Sequence, residues 1–137
     1  MAAAATSELN MRILIADDNE RVRRGIAGVL GSVKEWEVCG EAADGAQAIQ
    51  KAMELRPDLV LLDVSMPGMD GLETARRLRR ADTEIKILVL SQYDPSQLLP
   101  QALEAGANGC VDKSRVGADL VRTIKSIFVS SKNDLEK

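Results

Sequence analysis

Short apolar runs alternate along this chain with longer segments in which apolar residues recur at helical spacing. Three runs, at residues 13–16, 59–62 and 87–90, contain only apolar residues. Runs of this kind are typical of strands that are buried on both faces of a parallel sheet. Residues 36–41 alternate in polarity, and Cys110-Val-Asp112 is short and follows a turn at residues 105–109, so these two stretches predict strands at the edges of the sheet.

The segments between the runs predict helices. Asn19 can cap the first helix, and the second is expected from about residue 46 to 56 with Ile49, Ala52 and Met53 buried. Each apolar strand is therefore followed by one amphipathic helix.

The fourth and fifth helices carry less regular signals. Asp94 and Pro95 form a good helix start, but Pro100 lies inside the segment, so this helix is expected to be kinked, shortened or started late. The last helix has apolar residues at helical spacing up to Phe128, and the polar sequence from Ser130 onward predicts that it frays.

Five strands alternating with five helices predict an α/β fold with a parallel sheet and helices on both faces. The most apolar runs belong at its centre, which gives the flavodoxin-like (βα)5 arrangement with strand order 2-1-3-4-5. We expect one domain at residues 12–129, a flexible N-terminal tail at residues 1–11, and a polar C-terminal tail or the start of a linker at residues 130–137.

Composition narrows the functional classes. The chain has 137 residues and a net charge of −3, so no strong overall field attracts nucleic acid or an anionic membrane. No apolar run approaches the roughly 20 residues needed to cross a bilayer, and the N-terminus lacks the basic flank of a secretory signal. A cytoplasmic protein without a membrane partner is expected. The arginines between residues 76 and 80 are read as a solvated surface rather than a nucleic-acid site.

Candidate chemistry collects where the predicted strands end. The chain has no histidine, which excludes Ser-His-Asp catalysis and histidine metal sites. Because the carboxyl ends of parallel strands share one edge of a sheet, five polar side chains should meet there: Asp17, Asp18, Asp63, Ser91 and Lys113. Clustered carboxylates favour a hard divalent cation such as Mg²⁺, and the set suits transfer of a phosphoryl group onto Asp63.

The sequence resembles the receiver domain of a bacterial two-component response regulator. Four blocks carry the resemblance: Asp17-Asp18, Leu-Leu-Asp63-Val-Ser-Met-Pro-Gly-Met-Asp-Gly-Leu, Leu-Ser91 and Ala-Gly-Ala-Asn-Gly-Cys-Val-Asp-Lys113. Together they lie within residues 12 to about 128, which is nearly the whole chain.

The resemblance implies a signalling switch rather than an enzyme. Asp63 would accept a phosphoryl group from a histidine kinase or phosphotransfer protein, Ser91 would hydrogen-bond that group, and Lys113 would pair with its charge. Mg²⁺ would be held by Asp17, Asp18, Asp63 and the backbone carbonyl of Ser65. The switch would change partner contacts or homodimer contacts, through a helix 4/strand 5/helix 5 face or a helix 1/helix 5 face. It could thereby control transcription, although no nucleic acid would bind this chain itself.

Three positions depart from the family pattern. Cys110 stands where an aromatic switch residue is usual, and Ser114 follows Lys113 where proline is common, so a trans peptide is expected there. Tyr93 either shades the phosphoryl group or is a partly exposed loop residue.

Two other functions remain open. One is a pseudo-receiver that binds proteins without being phosphorylated. The other is a Mg²⁺-dependent phosphatase, which would need a second acid where Ser65 stands and a cap domain for which the chain has no room.

Overall fold

The computed structural model describes residues 10–66 and 68–136, with side chains described up to residue 129. Strands and helices alternate along the whole of this region. The strands are β1 (Met11–Ala16), β2 (Trp36–Ala42), β3 (Leu59–Asp63), β4 (Lys86–Ser91) and β5 (Gly109–Asp112). The helices are α1 (Glu20–Leu30), α2 (Gly45–Leu55), α3 (Gly71–Ala81), α4 (Pro95–Glu104) and α5 (Val116–Glu136), and a 3-10 turn (Lys113–Arg115) precedes α5.

The five strands form one parallel sheet in the order β2-β1-β3-β4-β5. The flavodoxin-like fold and strand order predicted from the sequence are confirmed. Strand β3 is buried along its whole length because it lies between β1 and β4 and is covered on both faces. Its apolar sequence is therefore explained by its position at the centre of the sheet.

Two hydrophobic layers cover the sheet. On one face, α2, α3 and α4 contribute small residues such as Ala52, Ala75 and Ala102, which let these helices approach the strands closely. On the other face, α1 and α5 contribute larger residues, including Ile26 and Ile124. Burial of these apolar residues fixes the strands, and with them the edge where the strands end. None of the helices in the described region is both long and apolar enough to span a bilayer.

The structure differs from the sequence predictions at both ends of the domain and at one buried position. Met11 belongs to β1, where it is buried and pairs with Trp36, so the predicted N-terminal tail cannot extend to residue 11; residues 1–9 lie outside the described residues. Met53 is 43% exposed, because the buried face of α2 passes through Ala48 and Ala52 instead. Helix α5 continues to Glu136, so the polar sequence after residue 129 does not end it.

Helix α4 does not start late. Asp94 caps it by accepting a hydrogen bond from Ser96 N at 3.0 Å, and the helix passes through Pro100 to Glu104. A proline in a helix removes one backbone hydrogen bond. Pro100 is exposed, so water can solvate the carbonyl that loses its donor.

Arg79 is not part of a solvated arginine surface, contrary to the sequence interpretation. Its guanidinium donates hydrogen bonds to Gly106 O at 3.0 Å, Asp82 O at 3.1 Å, Ile85 O at 2.6 Å and Asn108 Oδ1 at 3.1 Å. These contacts join the end of α3 to the start of β4 and to the turn before β5. Arg79 is therefore a structural residue at the edge of the sheet opposite the acids.

Candidate functional site

The sequence-predicted site residues meet at the carboxyl edge of the sheet. Asp17 follows β1, Asp63 and Ser91 are the last residues of β3 and β4, and Lys113 follows β5. Asp17, Asp63 and Ser91 are 0%, 2% and 1% exposed, respectively. Three side chains that are polar and almost fully buried at one edge require partners, so the contacts among them decide what the site can do.

An acid cluster, which we define as Asp17, Asp18 and Asp63, occupies the centre of this edge. One carboxylate oxygen of each residue lies within 4.8 Å of the other two. Lys113 Nζ lies 2.8 Å from Asp17 Oδ2 and 3.4 Å from Asp63 Oδ2, so a single ammonium group bridges the two buried acids. Three carboxylates against one lysine leave the cluster with excess negative charge.

The pKa values of two groups record this imbalance. Burial raises the pKa of Asp63, and the neighbouring charge of Asp17 raises it further, against the opposing effects of Ser65 N and Lys113. Burial acts to lower the pKa of Lys113, but its contacts with Asp17 and Asp63 outweigh burial and the pKa is raised. Lys113 is thus held in its charged form, whereas negative charge on Asp63 is less favourable than on a carboxylate in water.

The turn after β1 fixes Asp17. Asn19 N donates to Asp17 Oδ1 at 2.9 Å, and Asn19 Oδ1 accepts from Arg21 N and Val22 N, which caps α1. The side chain of Asn19 therefore does what the sequence predicts, while its backbone orients the acid. Asp17 Oδ2 is left facing Lys113.

A contact that sequence reasoning missed holds the same turn. Arg23 Nη1 donates to Asp17 O at 2.6 Å, and Arg23 Nε pairs with Glu41 Oε1 at 2.7 Å. Arg23 lies one helical turn after the cap, so its reach back to the turn could have been anticipated from α-helical spacing. Glu41 comes 18 residues later, and no local pattern connects it to the turn.

The loop after β3 is held close to Asp63. Ser65 N donates to Asp63 Oδ1 at 3.1 Å, Val64 N donates to Leu90 O at 3.0 Å, and Gly71 N donates to Val64 O at 3.0 Å. Ser65, whose backbone carbonyl is a predicted metal ligand, is exposed beside the acid cluster. The chain returns so closely at Gly71 that a Cβ atom there would lie 2.3 Å from Asp63 O.

Ser91 is placed by a local turn. Ser91 Oγ accepts a hydrogen bond from Tyr93 N at 3.0 Å, while the side chain of Tyr93 is 72% exposed. Ser65, Ser91 and Tyr93 line an open groove of about 290 Å³ beside the acid cluster. Ser91 thus lies at the wall of the groove, and the observed exposure agrees with Tyr93 as a loop aromatic.

Cys110 takes the place of the usual aromatic in β5. It is half-buried, pairs with Val89, and packs against the core beneath α4. Burial, with a smaller contribution from the charge of Asp112, raises the pKa of its thiol to about 11. Cys110 is therefore a neutral packing residue at neutral pH, as the sequence interpretation expects. None of the described peptide bonds is cis, and the bond after Lys113 is trans as predicted.

The acid cluster fits a hard cation on structural grounds. Asp17 Oδ2 is fully buried and has no hydrogen-bond donor with good geometry among the described residues, although Lys113 Nζ is near it as an ion partner. A buried oxygen of this kind normally receives a hydrogen bond or binds an ion. An all-oxygen donor set with an exposed member, Asp18, suits Mg²⁺, which keeps part of its water shell.

Comparisons with known proteins show the family of the chain. Residues 13–125 match the family model described as the response regulator receiver domain. The chain belongs to that family. It is 36% identical over 122 residues to "Response regulator GacA" of Pseudomonas viridiflava, covering 89% of this chain and 57% of that protein. It is 36% identical over 116 residues to "Transcriptional regulatory protein LiaR" of Bacillus subtilis, covering 85% of this chain and 55% of that protein.

A solved structure agrees with the sequence matches. The crystal structure of a LuxR family two-component response regulator from Aurantimonas sp. SI85-9A1 has a TM-score of 0.83 and 35% identity, covering 88% of this chain and 86% of that chain. The chain spans little more than half the length of these two curated relatives, at 57% and 55%. Membership of the family makes this a domain of the kind found in phosphorylation-dependent signalling proteins.

Proposed function

We propose that this receiver domain accepts a phosphoryl group on Asp63 from a phosphohistidine of a histidine kinase or phosphotransfer protein, with Mg²⁺ as cofactor. The observation that carries the proposal is the bridge of Lys113 between Asp17 Oδ2 at 2.8 Å and Asp63 Oδ2 at 3.4 Å, inside a cluster of three acids. This arrangement supplies a nucleophilic carboxylate and a fixed cation beside it.

The chemistry follows from the positions of these residues. An Asp63 carboxylate oxygen forms the new P–O bond while the P–N bond of the donor phosphohistidine breaks and its imidazole leaves. Lys113 stabilises negative charge on the phosphoryl oxygens as they approach. Mg²⁺, held by Asp17, Asp18, Asp63 and the backbone carbonyl of Ser65, would supply further positive charge against those oxygens. Ser65 N, which donates to Asp63 Oδ1, keeps the carboxylate in a fixed direction.

The change in contacts on phosphorylation comes from the charge and the oxygen atoms of the phosphoryl group. A phosphoryl group brings about −1.5 to −2 charge units and three acceptor oxygens. Ser91 Oγ can donate to one of these oxygens while it accepts from Tyr93 N, and Lys113 can exchange Asp17 for the phosphoryl group. Both movements act on the loops that lead into α4 and α5.

The face formed by α4, β5 and α5 is one candidate for the output. An open groove of about 440 Å³ runs across it, lined by Asp94, Cys110, Asp112, Arg115, Asp119 and Arg122. Its mixed charges suit a partner protein or a second copy of the domain. The face formed by α1 and α5 is the alternative for a homodimer. The name of the relative LiaR links that protein to transcription, and control of transcription by this receiver domain is part of the proposal.

Intact-mass spectrometry tests the proposed function directly. The domain is incubated with a small phosphodonor such as acetyl phosphate, with and without Mg²⁺, beside the Asp63→Asn variant. We expect the mass of one phosphoryl group to be added to the wild type only with Mg²⁺, and no addition to Asp63→Asn. An unmodified wild type with Mg²⁺ bound would favour the pseudo-receiver. Repeated turnover of a phosphomonoester would favour the phosphatase, although this chain has Ser65 where such an enzyme would need a second acid.

A further inference from the structure

Arg23 joins three elements beside the acid cluster. It lies in the first turn of α1, and its side chain is 16% exposed. Its guanidinium reaches Asp17 O after β1 at 2.6 Å and Glu41 Oε1 in β2 at 2.7 Å. Charge-assisted hydrogen bonds to two different elements hold an arginine more firmly than an exposed pair within one helix.

The carbonyl that Arg23 binds belongs to the peptide bond between Asp17 and Asp18. The two acids are fixed in different ways. Asp17 is held by its side chain, through Asn19 N and Lys113. Asp18 is exposed, and within residues 10–66 and 68–129 its side chain makes no hydrogen bond or ion pair. The direction of the Asp18 carboxylate is therefore set by the backbone. Two contacts hold that backbone: Asn19 N donates to Asp17 Oδ1 across Asp18, and Arg23 binds the carbonyl of the Asp17–Asp18 peptide itself.

We propose that Arg23, held in place by Glu41, is a positioning residue that orients Asp18 for Mg²⁺ binding. The proposal rests on the proposed function of the acid cluster as a magnesium site. Arg23 touches neither the cation nor the phosphoryl group. It sets the plane of the peptide that links two ligands, and groups that orient metal ligands commonly change metal affinity by about 10- to 100-fold when removed.

Electrostatics and positioning predict opposite changes in Mg²⁺ affinity when Arg23 is removed, which makes the proposal testable. Removing Arg23 takes a positive charge away from the acids and leaves Glu41 without its partner, so a purely electrostatic effect would tighten binding of a cation. Loss of positioning would weaken it. The double variant Arg23→Met with Glu41→Gln removes one charge of each sign, and therefore separates geometry from net charge.

The experiment is isothermal titration of MgCl₂ into the full chain and its variants. We expect Arg23→Met and the double variant to bind Mg²⁺ roughly 10-fold more weakly than wild type. Arg23→Lys keeps the charge but loses the planar two-donor geometry, so its Mg²⁺ affinity should lie between that of these two variants and that of wild type. The matched control is Arg24→Met, because Arg24 is the next residue of α1 and its pair with Glu20 at 3.0 Å is exposed. That control should change affinity by less than about 2-fold, since exposed pairs contribute little.

A second readout separates positioning from a general loss of structure. Phosphorylation rate is measured against Mg²⁺ concentration with acetyl phosphate as donor. For Arg23→Met, the half-saturating Mg²⁺ concentration should rise by the same factor as the dissociation constant, while the rate at saturating Mg²⁺ stays near that of wild type. Urea unfolding of each variant shows that the folded domain is being compared.

The possible outcomes distinguish this proposal from the proposed function. Unchanged or tighter Mg²⁺ binding by Arg23→Met overturns the positioning role, even if wild type is phosphorylated normally. Weaker binding by Arg23→Met and by the double variant supports it, even if wild type gains no phosphoryl group and the proposed function fails. A wild type that binds no Mg²⁺ at all overturns both proposals.

Discussion

Gly71 offers the sharpest test of how the loop after β3 is packed. A Cβ atom at this position would lie 2.3 Å from Asp63 O and 2.7 Å from Val64 Cα. Both neighbours are backbone atoms at the end of the central strand, so neither can turn aside as a flexible side chain would. Gly71→Ala should therefore push α3 away from β3 or displace the carbonyl of Asp63 itself.

Two opposing effects set the magnitude. Alanine is favoured over glycine in a helix by roughly 0.5–1 kcal/mol. Overpacking a tight site typically costs about 1–3 kcal/mol, and the rigid backbone here places Gly71 toward the upper end. We therefore expect Gly71→Ala to lower the free energy of unfolding by about 1–2 kcal/mol.

The matched control is Gly28→Ala in α1. A Cβ atom at Gly28 would meet nothing within 4 Å, so only the helix preference acts. This substitution should raise the free energy of unfolding by about 0.5–1 kcal/mol. The same chemical change is thus expected to have opposite signs at two positions of the same domain.

Urea unfolding followed by the fluorescence of the single tryptophan, Trp36, measures both variants. A loss of about 1.5 kcal/mol lowers the midpoint by roughly 0.5–1.5 M, since the urea dependence of a small domain is about 1–3 kcal/mol per M. Phosphorylation of Gly71→Ala should also slow, because Asp63 is the residue displaced. A Gly71→Ala domain as stable as wild type would refute the close packing of Gly71 against Asp63.

Three further outcomes are expected. In a Cys39→Ala background, alkylation of Cys110 by iodoacetamide should rise about tenfold per pH unit through pH 9, because its pKa is about 11 and the thiolate reacts; a plateau below pH 9 contradicts this. Arg79→Met should lower the free energy of unfolding by about 1–3 kcal/mol in urea titrations, because three carbonyls lose a donor, whereas the exposed Arg80→Met should change it by less than about 0.5 kcal/mol. In thermal unfolding, saturating Mg²⁺ should stabilise Lys113→Met by about 1 kcal/mol more than wild type, since the acids then lack their own cation. Equal stabilisation argues against competition between Lys113 and the metal ion, and no stabilisation of either protein argues against a metal site there.

The sequence alone predicted the strand order of the sheet and the edge at which the polar side chains meet. Apolar runs ending at Asp17, Asp63 and Ser91 identify buried parallel strands, and parallel strands must present their ends at one edge. The same topology brings Lys113 to the acids, although 50 positions separate it from Asp63. The spacing of apolar residues and the sheet topology predict contacts between distant residues because both describe whole strands and helices rather than single side chains.

Contacts that depend on one side chain at long range were not predictable in this way. Arg23 and Arg79 look like ordinary surface residues of amphipathic helices, yet Arg23 pairs with the carboxylate of Glu41, 18 residues later, and Arg79 binds the carbonyl of Gly106, 27 residues later. Met53 was expected inside because it is apolar, but the short side chains of Ala48 and Ala52 set the depth of α2 and leave Met53 at the surface. The predicted end of the last helix also differs from the structure, because α5 continues past Phe128 to Glu136 although its sequence turns polar.

The two edges of the sheet differ in how their polar groups are paired. At the amino edge, polar groups are paired: Ile87 N donates to Asn108 Oδ1 at 2.9 Å, Asn108 N donates to Ile87 O at 2.7 Å, and Arg12 N donates to Asp58 Oδ2 at 2.8 Å. At the carboxyl edge, three acids share one lysine, whose ammonium group lies 2.8 Å from Asp17 Oδ2 and 3.4 Å from Asp63 Oδ2.

The paired amino edge allows the carboxyl edge to keep its excess negative charge. Since the paired edge and the two hydrophobic layers stabilise the fold, the acid edge can hold like charges together without unfolding the domain. Repulsion in the acid cluster raises the free energy of the state without a cation, so binding of a cation relieves it. Substitutions at the amino edge should therefore change stability and leave Mg²⁺ affinity unaltered, whereas substitutions among Asp17, Asp18 and Lys113 should change Mg²⁺ affinity most.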